Sequence, residues 1–233
     1  MVTIRFASYN IHKAVGTDGR RDGERIIAVL REINADIIAL QEADRRLGDR
    51  ASVLSRAGLD DTQWRPLDVA VRPRSLGWHG NALLVRRDIE CVDSGPMHLP
   101  VMEPRGAVRA ILDVGGQKIC IIGAHLDLSG LRRRDQIRAI LNQREDDAGQ
   151  IPFVLMGDFN QWTRRGAMRE FDEGWHVITP GSSFPSRRPI ATLDRIVASQ
   201  EWHILDHGVH HSALAVQASD HLPVWAELGL PSI

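Results

Sequence analysis

Polar residues stand in pairs at the ends of several apolar runs of this sequence. Three of these pairs flank a single apolar residue: Asn10 and His12, His125 and Asp127, and Asp158 and Asn160. Because the side chains of a β-strand alternate between its two faces, both polar members of each pair point the same way. One such pair alone could be ordinary turn chemistry, since Asp and Asn close turns through hydrogen bonds to the backbone. Their repetition predicts that several strand ends deliver ligands to one crevice.

Oxygen donors dominate this set of strand-end residues. Glu42 closes the run "DIIALQE", and Asp220 with His221 precedes the apolar run of "SDHLPVW". The full set of oxygen donors is Asn10, Glu42, Asp158, Asn160 and Asp220. Such oxygens suit Mg²⁺ or Mn²⁺, and the sequence has neither the H-E-x-x-H pattern of zinc proteases nor the G-x-S-x-G turn of serine hydrolases. The indicated chemistry is attack of metal-positioned water on a phosphate ester.

Strand-like and helical runs must position these residues. The strand-like runs are "IRFASYN", "DIIALQE", "NALLVRR", "VRAILDV", "KICIIGAH", "PFVLMGDFN", "LDRIVAS" and "HLPVWAEL". Apolar stripes at helical spacing lie at positions 26, 27, 30 and 33 and at 137, 140 and 141. With no internal repeat and no Ser-, Pro- or Gly-rich linker, these patterns predict a single α/β domain over residues 1–233. We expect two sheets packed face to face with helices outside.

The charge balance limits the class of partner. The 29 Lys+Arg residues almost equal the 30 Asp+Glu residues, so the chain as a whole has no field that attracts a polyanion. Nearly all the positive charge is Arg, which forms the two-pronged contacts that suit phosphate. Cys91 and Cys120 lie in apolar runs and are expected to be reduced. Without a signal peptide or an apolar run of membrane length, we expect a soluble, cytoplasmic and monomeric protein.

Eight motifs follow one another in an order that resembles a known superfamily. They are "SYNIH", "DIIALQE", "HGNALLVR", "PRGAVRAIL", "AHLD", "GDFNQW", "LDRIVAS" and "SDHLP". Together they resemble the endonuclease/exonuclease/phosphatase superfamily with the DNase I-like fold, and in particular a small, mostly uncharacterised bacterial branch. The resemblance implies a four-layer α/β sandwich, in which two packed mixed β-sheets are flanked by helices. It also implies divalent-metal-dependent hydrolysis of a phosphoester.

The resemblance further implies roles for the oxygen-donor residues. Glu42 matches the principal metal ligand, and Asn10 and Asp220 match positions beside it. Asp158 matches the residue that orients or deprotonates the attacking water. Asn160 matches a contact to the scissile phosphate.

Two histidines and one further carboxylate complete the implied site. His221 matches the imidazole that binds or polarises the phosphate, and Asp194 in "TLDRIV" matches the acid that holds this ring. A carboxylate on one ring nitrogen fixes the tautomer and favours the charged form. His125 matches a second histidine, which donates to a phosphate oxygen or to the leaving group. We predict that Asp158 orients water and that His221 stabilises charge.

Three positions depart from the commonest family wording. Ala124, Val85 and Arg195 stand where a Thr, a Ser and an aromatic residue are frequent. None of these changes removes an expected catalytic group. Arg195 could change what the site prefers as substrate.

Several further residues are candidates for substrate binding. Asn81 could bind phosphate or simply cap a turn, and Arg105 could reach the substrate phosphate. In the run of residues 132–134, Arg133 is the candidate, against the alternative of a solvated helix face. Trp162, like Trp78, could form an aromatic wall on which a flat group stacks, or could pack at the rim.

One Asp-His pair and two other functions compete with this interpretation. Asp206 and His207 repeat the Asp-His sequence, but only Asp220 and His221 lead into an apolar strand through a Pro. The near-neutral charge favours a small-molecule or lipid phosphoester over DNA or RNA, so a nuclease remains the alternative. A binding module that has lost catalysis would show gaps among the metal and His positions, and the sequence has none.

Overall fold

The protein is described by a computed structural model that covers residues 1–100, 105–147, 151–163, 165–171 and 173–231. Two six-stranded sheets organise these residues. The first sheet contains β1 (Val2–Asn10), β2 (Ile37–Gln41), β3 (Trp64–Pro66), β4 (Ala82–Arg86), β11 (His203–Val209) and β12 (Val224–Leu230), in the order β11-β12-β1-β2-β4-β3. The second contains β5 (Glu90–Met97), β6 (Gly106–Val114), β7 (Gln117–His125), β8 (Phe153–Asp158), β9 (Trp175–Ile178) and β10 (Asp194–Ser199), in the order β5-β6-β7-β8-β10-β9.

Each sheet is mixed, with one parallel pair at its centre. β1 runs parallel to β2 and β7 runs parallel to β8, whereas the other paired strands are antiparallel. The helices are α1 (Gly23–Ile33), α2 (Arg56–Asp60), α3 (Gly130–Asp147) and α4 (Ala213–Ala218), with short 3₁₀ turns at His12–Ala14 and Gly166–Glu170. Because parallel neighbours end at the same edge, the carboxyl ends of four central strands are available to one site.

Strand alternation divides the buried side chains among three layers of core. In β8, Val154 and Met156 face a central core between the sheets, while Phe153 and Leu155 pack in a second core with Ile137 of α3. A third core lies between the first sheet and helices α1 and α4. Strands buried on both faces read as continuous apolar runs, which is the pattern of "PFVLM". The predicted four-layer α/β sandwich is therefore confirmed.

The first helix shows how local sequence fixes an element. Asp22 caps α1, because its side chain accepts a hydrogen bond from the backbone N–H of Arg25, and Asn34 ends the helix in the left-handed conformation. The stripe predicted at positions 26, 27, 30 and 33 is buried. Within the described ranges, no helix combines the length and the apolar character needed to span a bilayer.

Candidate active site

The ends of the central strands meet around one carboxylate, that of Asp158. Parallel pairing of β7 with β8 sets His125 beside Asp158, and antiparallel β10 sets Asp194 on its other side. From the first sheet, Asn10 at the end of β1 donates from its Nδ2 to Asp158 Oδ2 at 3.0 Å. His221, which precedes β12, has its Nε2 3.7 Å from the same oxygen. Both sheets thus contribute predicted catalytic residues to this point.

Asp158 is buried but ionised. Its Oδ1 accepts a hydrogen bond from the backbone N–H of Asn160 at 2.9 Å, and its Oδ2 lies 3.4 Å from His125 Nε2. Burial alone would raise the pKa of this carboxyl, yet His221 and His125 hold it well below its usual range. A carboxylate of low basicity is suited to accepting a hydrogen bond from water and orienting it, rather than to removing its proton outright.

His221 lies between two carboxylates. Its Nδ1 is 2.8 Å from Asp194 Oδ2, and the hydroxyl of Ser183 donates to that same oxygen. Burial would lower the pKa of the imidazole, but Asp194 and Asp158 raise it to about 10. Burial also raises the pKa of Asp194, while the hydrogen bonds from His221 and Ser183 favour its charged form. His221 is therefore a fixed imidazolium at neutral pH.

The three predicted metal ligands surround the 3₁₀ turn His12–Ala14. Asn10 Oδ1 accepts from the backbone N–H of His12 at 3.1 Å, and Asp220 Oδ1 lies 3.8 Å from His12 Nδ1. The carboxylate of Glu42 pairs with the ammonium of Lys13. Burial would raise the pKa of Glu42, but Lys13 holds it below its usual value. Two carboxylates and an amide oxygen at one turn are a donor set that fits Mg²⁺ or Mn²⁺.

A second group of side chains is also compact enough for a cation. Ligand atoms of Asp158, Asp194 and His221 lie within 4.8 Å of one another, and all three residues are buried. In this group the short His221–Asp194 distance is already spanned by a hydrogen bond, and the ring is positively charged. An imidazolium has both ring nitrogens protonated, so His221 offers no lone pair to a metal ion in this state. We therefore interpret this trio as a charge network and Glu42, Asn10 and Asp220 as the candidate metal ligands.

Left-handed backbone conformations cluster at this site. Seven of the eight described non-glycine residues with positive φ border it or its pocket: His12, Lys13, Ala14, Glu42, Arg50, His79 and Asn160. Each such residue costs about 1–2 kcal/mol relative to a right-handed conformation. Residues in this conformation persist only where their surroundings enforce them, and they concentrate at functional sites. The clustering is thus an independent indication of function, and residue type alone did not reveal it.

The remaining predicted contacts occupy the rim. Arg105 hydrogen-bonds to His125 Nε2 and donates to the carbonyl of Leu126 at 3.1 Å. Asn160 donates to the same carbonyl at 2.9 Å. Trp162 is 61% exposed and makes an edge contact with Phe184, whose ring lies 4.8 Å from that of His221. Phe184, which the sequence did not indicate, links the exposed tryptophan to the charged histidine.

Two predicted substrate contacts lie inside the protein. Asn81 is fully buried and donates to the carbonyl of Gly106 at 3.0 Å, so it ties the start of β4 to β6. Arg133 is 8% exposed and donates to the carbonyls of Asp127 and Leu128 at 3.0 and 2.6 Å. These contacts correspond to the capping alternative for Asn81 and to a loop-fastening role for Arg133. Neither residue is placed in the open part of the site.

Arg195 also supports a loop. It is fully buried, and its Nη2 donates to the carbonyls of Gln161 and Thr163 at 2.9 and 3.1 Å. Burial lowers the pKa of this guanidinium to about 10. Arg195, which differs from the commonest family sequence, therefore holds the segment that carries Trp162. Any effect of Arg195 on substrate preference would act through that segment.

A pocket beside Glu42 contains residues that sequence reasoning missed. It is lined by Lys13, Glu42, Asp44, Arg45, Arg46, Arg50, His79, Gly80, Arg105 and His125. The adjacent arginines in "EADRRLGDR" come only three residues after Glu42, which was the available signal. The rival pair Asp206 and His207 lies exposed on the edge strand β11, away from this pocket.

Comparison with known proteins shows the fold and the family of the chain. No curated protein matches the sequence. The structure is similar to an endonuclease/exonuclease/phosphatase from Bacteroides vulgatus (19% identity, 99% of this chain and 100% of that chain, TM-score 0.78). It is also similar to the mannosyl-6-phosphatase Bt3783 of Bacteroides thetaiotaomicron, with 18% identity over 97% of this chain and 100% of that chain and a TM-score of 0.76. A third similar structure is D. rerio TDP2 in complex with a single-strand DNA product, with 14% identity over 98% of this chain and 100% of that chain and a TM-score of 0.73.

These structural similarities establish the DNase I-like fold. The sequence profile of the Endonuclease/Exonuclease/phosphatase family matches residues 7–221, a span that runs from within β1 to His221. The chain belongs to the endonuclease/exonuclease/phosphatase family.

Proposed function

We propose that the protein is a divalent-metal-dependent phosphoester hydrolase, most simply a phosphodiesterase in which water attacks phosphorus. The observation that carries this proposal is the buried imidazolium of His221 between the carboxylates of Asp194 and Asp158. Phosphoester hydrolysis needs a preorganised positive donor where negative charge develops, and a carboxylate that orients water. This arrangement supplies both groups.

In the proposed mechanism, each residue has a defined task. Asp158 accepts a hydrogen bond from the water and directs its lone pair towards phosphorus. His221 donates from Nε2 to a phosphoryl oxygen, because Asp194 holds Nδ1. A Mg²⁺ or Mn²⁺ ion held by Glu42, Asn10 and Asp220 would neutralise negative charge on the phosphate. His125 and Asn160 flank Asp158 and are the proposed contacts to the phosphate or the leaving group.

The similar structures include a mannosyl-6-phosphatase and a protein in complex with a single-strand DNA product, so they do not indicate one substrate class for this chain. The near-neutral overall charge favours a small-molecule or lipid phosphoester over a nucleic acid. One observation favours the nuclease alternative, because the exposed Trp162 at the rim could stack on a base. An inactive binding module has less support, since the sequence has the expected residue type at each metal-ligand and histidine position that the family resemblance implies. We further propose a single domain, a monomer and a cytoplasmic location.

A chromogenic assay tests the proposal. Bis(p-nitrophenyl) phosphate and p-nitrophenyl phosphate are offered to the wild type with Mg²⁺, with Mn²⁺ and with EDTA. We expect metal-dependent turnover, faster for the diester. Asp158→Asn and His221→Gln should each lower kcat by about a hundredfold to ten-thousandfold, since each removes a group that acts in the transition state.

The rival Asp-His pair provides the control. Asp206→Asn and His207→Gln change the same residue types on an exposed edge strand and should leave kcat within about twofold, as surface changes usually do. Turnover that survives both Asp158→Asn and His221→Gln would place the site elsewhere. Absence of metal-dependent turnover over a wide panel of phosphoesters would refute the enzyme proposal.

A further inference from the structure

The pocket beside Glu42 has a wall that the proposed reaction does not use. Arg45, Arg46 and Arg50 belong to the loop that follows β2, and His79 belongs to the turn that precedes β4. The same pocket is also lined by His125, a residue of the proposed catalytic site. We call Arg45, Arg46, Arg50 and His79 the arginine wall. It directly adjoins the place where the scissile phosphate would lie.

The charges of this pocket do not cancel. Of its two carboxylates, Glu42 already pairs with Lys13. Asp44 is 5% exposed and is held by the backbone N–H groups of Leu76 and Gly77, at 2.7 and 3.3 Å. Asp44 also faces Arg50. The lining contains five cationic side chains, Lys13, Arg45, Arg46, Arg50 and Arg105, so positive charge exceeds these two carboxylates.

Arg45 and Arg46 are the uncompensated cations. Both are exposed, and within the described part of the chain neither side chain has an ion pair or hydrogen bond. They lie beside a carboxylate, Glu42, that is already satisfied. Both line the pocket, and a guanidinium without a protein partner is suited to bind a ligand that carries negative charge.

Hydrogen bonds hold the other two residues of the arginine wall, Arg50 and His79. Arg50 Nη1 donates to His79 Nδ1 at 2.8 Å, and the carbonyl of Arg50 accepts from the hydroxyl of Ser75. The turn of His79 is held against the strand end because the backbone N–H of Ala43 donates to the carbonyl of Gly80 at 2.8 Å. Burial, with Arg50 nearby, lowers the pKa of His79, so the ring is neutral and can accept from Arg50. Preorganised donors lose little entropy when they bind an anion.

We infer that the arginine wall is a subsite for a second phosphate group on the substrate of the proposed hydrolase. Arg is the side chain whose planar donors match phosphate oxygens in pairs. The proposed contacts to the scissile phosphate already come from His221, His125 and Asn160, so these arginines are available to another group. Because the basic residues line a concave pocket in a chain of net charge −1, the ligand is a small molecule with two phosphates rather than a nucleic acid strand.

Binding to the metal-free protein tests this inference separately from catalysis. Titration calorimetry in EDTA compares fructose 1,6-bisphosphate with fructose 6-phosphate as probes, at pH 7 and fixed salt. We expect the bisphosphate to bind at least about tenfold more tightly to the wild type, as one charge-assisted contact of this kind would produce. In the Arg45→Gln/Arg46→Gln double variant this ratio should fall to about one.

A charge-matched control isolates the pocket from the net charge. Arg31→Gln/Arg87→Gln removes two exposed arginines that pair with Asp61 and Asp60 outside the pocket, and it should keep the wild-type ratio. Equal affinity of the wild type for both sugars, or a ratio that Arg45→Gln/Arg46→Gln leaves unchanged, would overturn the subsite.

Binding of a single-stranded oligonucleotide tests whether the phosphate belongs to a nucleic acid instead. If a single-stranded oligonucleotide binds more tightly than the bisphosphate and loses that affinity in the double variant, the small-molecule inference is overturned in favour of a nucleic acid. The inference rests on the proposed function only for its biological meaning. If the wild type prefers the bisphosphate as expected but hydrolyses no phosphoester, the hydrolase proposal is refuted and the anion site remains. If it hydrolyses phosphoesters but does not prefer the bisphosphate, only the subsite is refuted.

Discussion

At the scale of single residues, the site depends on how each buried charge is compensated. Asp194 keeps the imidazole of His221 charged. The Asp194 carboxylate at Nδ1 and the Asp158 carboxylate near Nε2 both stabilise the imidazolium. The same arrangement predicts how stability depends on pH. A group whose pKa is raised in the folded state stabilises the protein fully at pH values below its pKa in the unfolded state, which is about 6.5 for His. For His221 this stabilisation is lost as the pH rises towards the pKa in the folded state, about 10.

Asp194→Asn should weaken this pH dependence. We expect the free energy of unfolding to decrease more between pH 6.5 and 10 in the wild type than in the variant, where Asp158 is left to stabilise the imidazolium. The variant should also have a lower pKa for His221, because its main stabilising charge is gone. Urea unfolding at several pH values and NMR titration of the histidine rings, both in EDTA, measure the two effects. A His221 resonance that titrates near pH 6.5 in the wild type would contradict the prediction.

Lys13 is the residue that compensates Glu42 when no metal is bound. Its ammonium pairs with the carboxylate that is the candidate principal metal ligand, so a divalent cation must compete with it. We expect Lys13→Gln to bind Mn²⁺ about threefold to tenfold more tightly in calorimetry, because a like charge next to the ion is removed. Lys118, the only other lysine of the chain, is exposed on β7, and Lys118→Gln serves as the control. Weaker binding in Lys13→Gln would show that the lysine supports the metal site.

At the scale of elements, strand ends were predictable and loop contacts were not. The alternation in "GDFN" predicted Asp158 and the strand start in "SDHLPVW" predicted His221, because strand geometry carries side-chain direction in the sequence itself. Asp194 was predicted only from the family resemblance. The left-handed turn at His12–Ala14 and the pairing of Lys13 with Glu42 arise from contacts between distant segments. The same limit applies to Arg133, whose sequence context is a basic helix start.

Arg133 fastens two loops together, and this role can be separated from substrate binding. Its guanidinium contacts the carbonyls after β7 and, through Nε and Nη2, the side-chain oxygen of Gln161 after β8. Arg133→Met should lower the free energy of unfolding by about 1.5–3 kcal/mol, the range for hydrogen bonds of a charged donor. Arg132→Met, one residue away on the same helix, should change it by less than about 0.5 kcal/mol. Urea unfolding gives both values.

Kinetic measurements on Arg133→Met test the alternative that Arg133 contacts substrate. If Arg133→Met keeps wild-type stability but raises KM for a phosphodiester, the residue contacts substrate as the sequence first suggested. If Arg132→Met destabilises the protein equally, the effect belongs to helix charge rather than to the fastened loops. Only a selective loss of stability agrees with the structure.

At the scale of the whole molecule, the two sheets share both a site and a core. Side chains from β1, β2 and β12 of the first sheet pack with those of β6, β7 and β8 of the second in the central core. Asn10 and Asp158 join the sheets again at the site. Neither sheet can therefore lose its partner without exposing apolar surface, and the predicted single domain requires that they unfold together.

Matched substitutions on the two sides of the central core test this cooperativity. Ile4→Val in the first sheet and Ile121→Val in the second each remove one buried methylene and should each cost about 1 kcal/mol. Because the core is shared, either change should shift one common urea transition by a similar amount. Far-UV circular dichroism and hydrogen exchange of peptides from each sheet should report the same midpoint. Two separated transitions, with each variant shifting only its own, would mean that the sheets are independent units and would contradict the single domain.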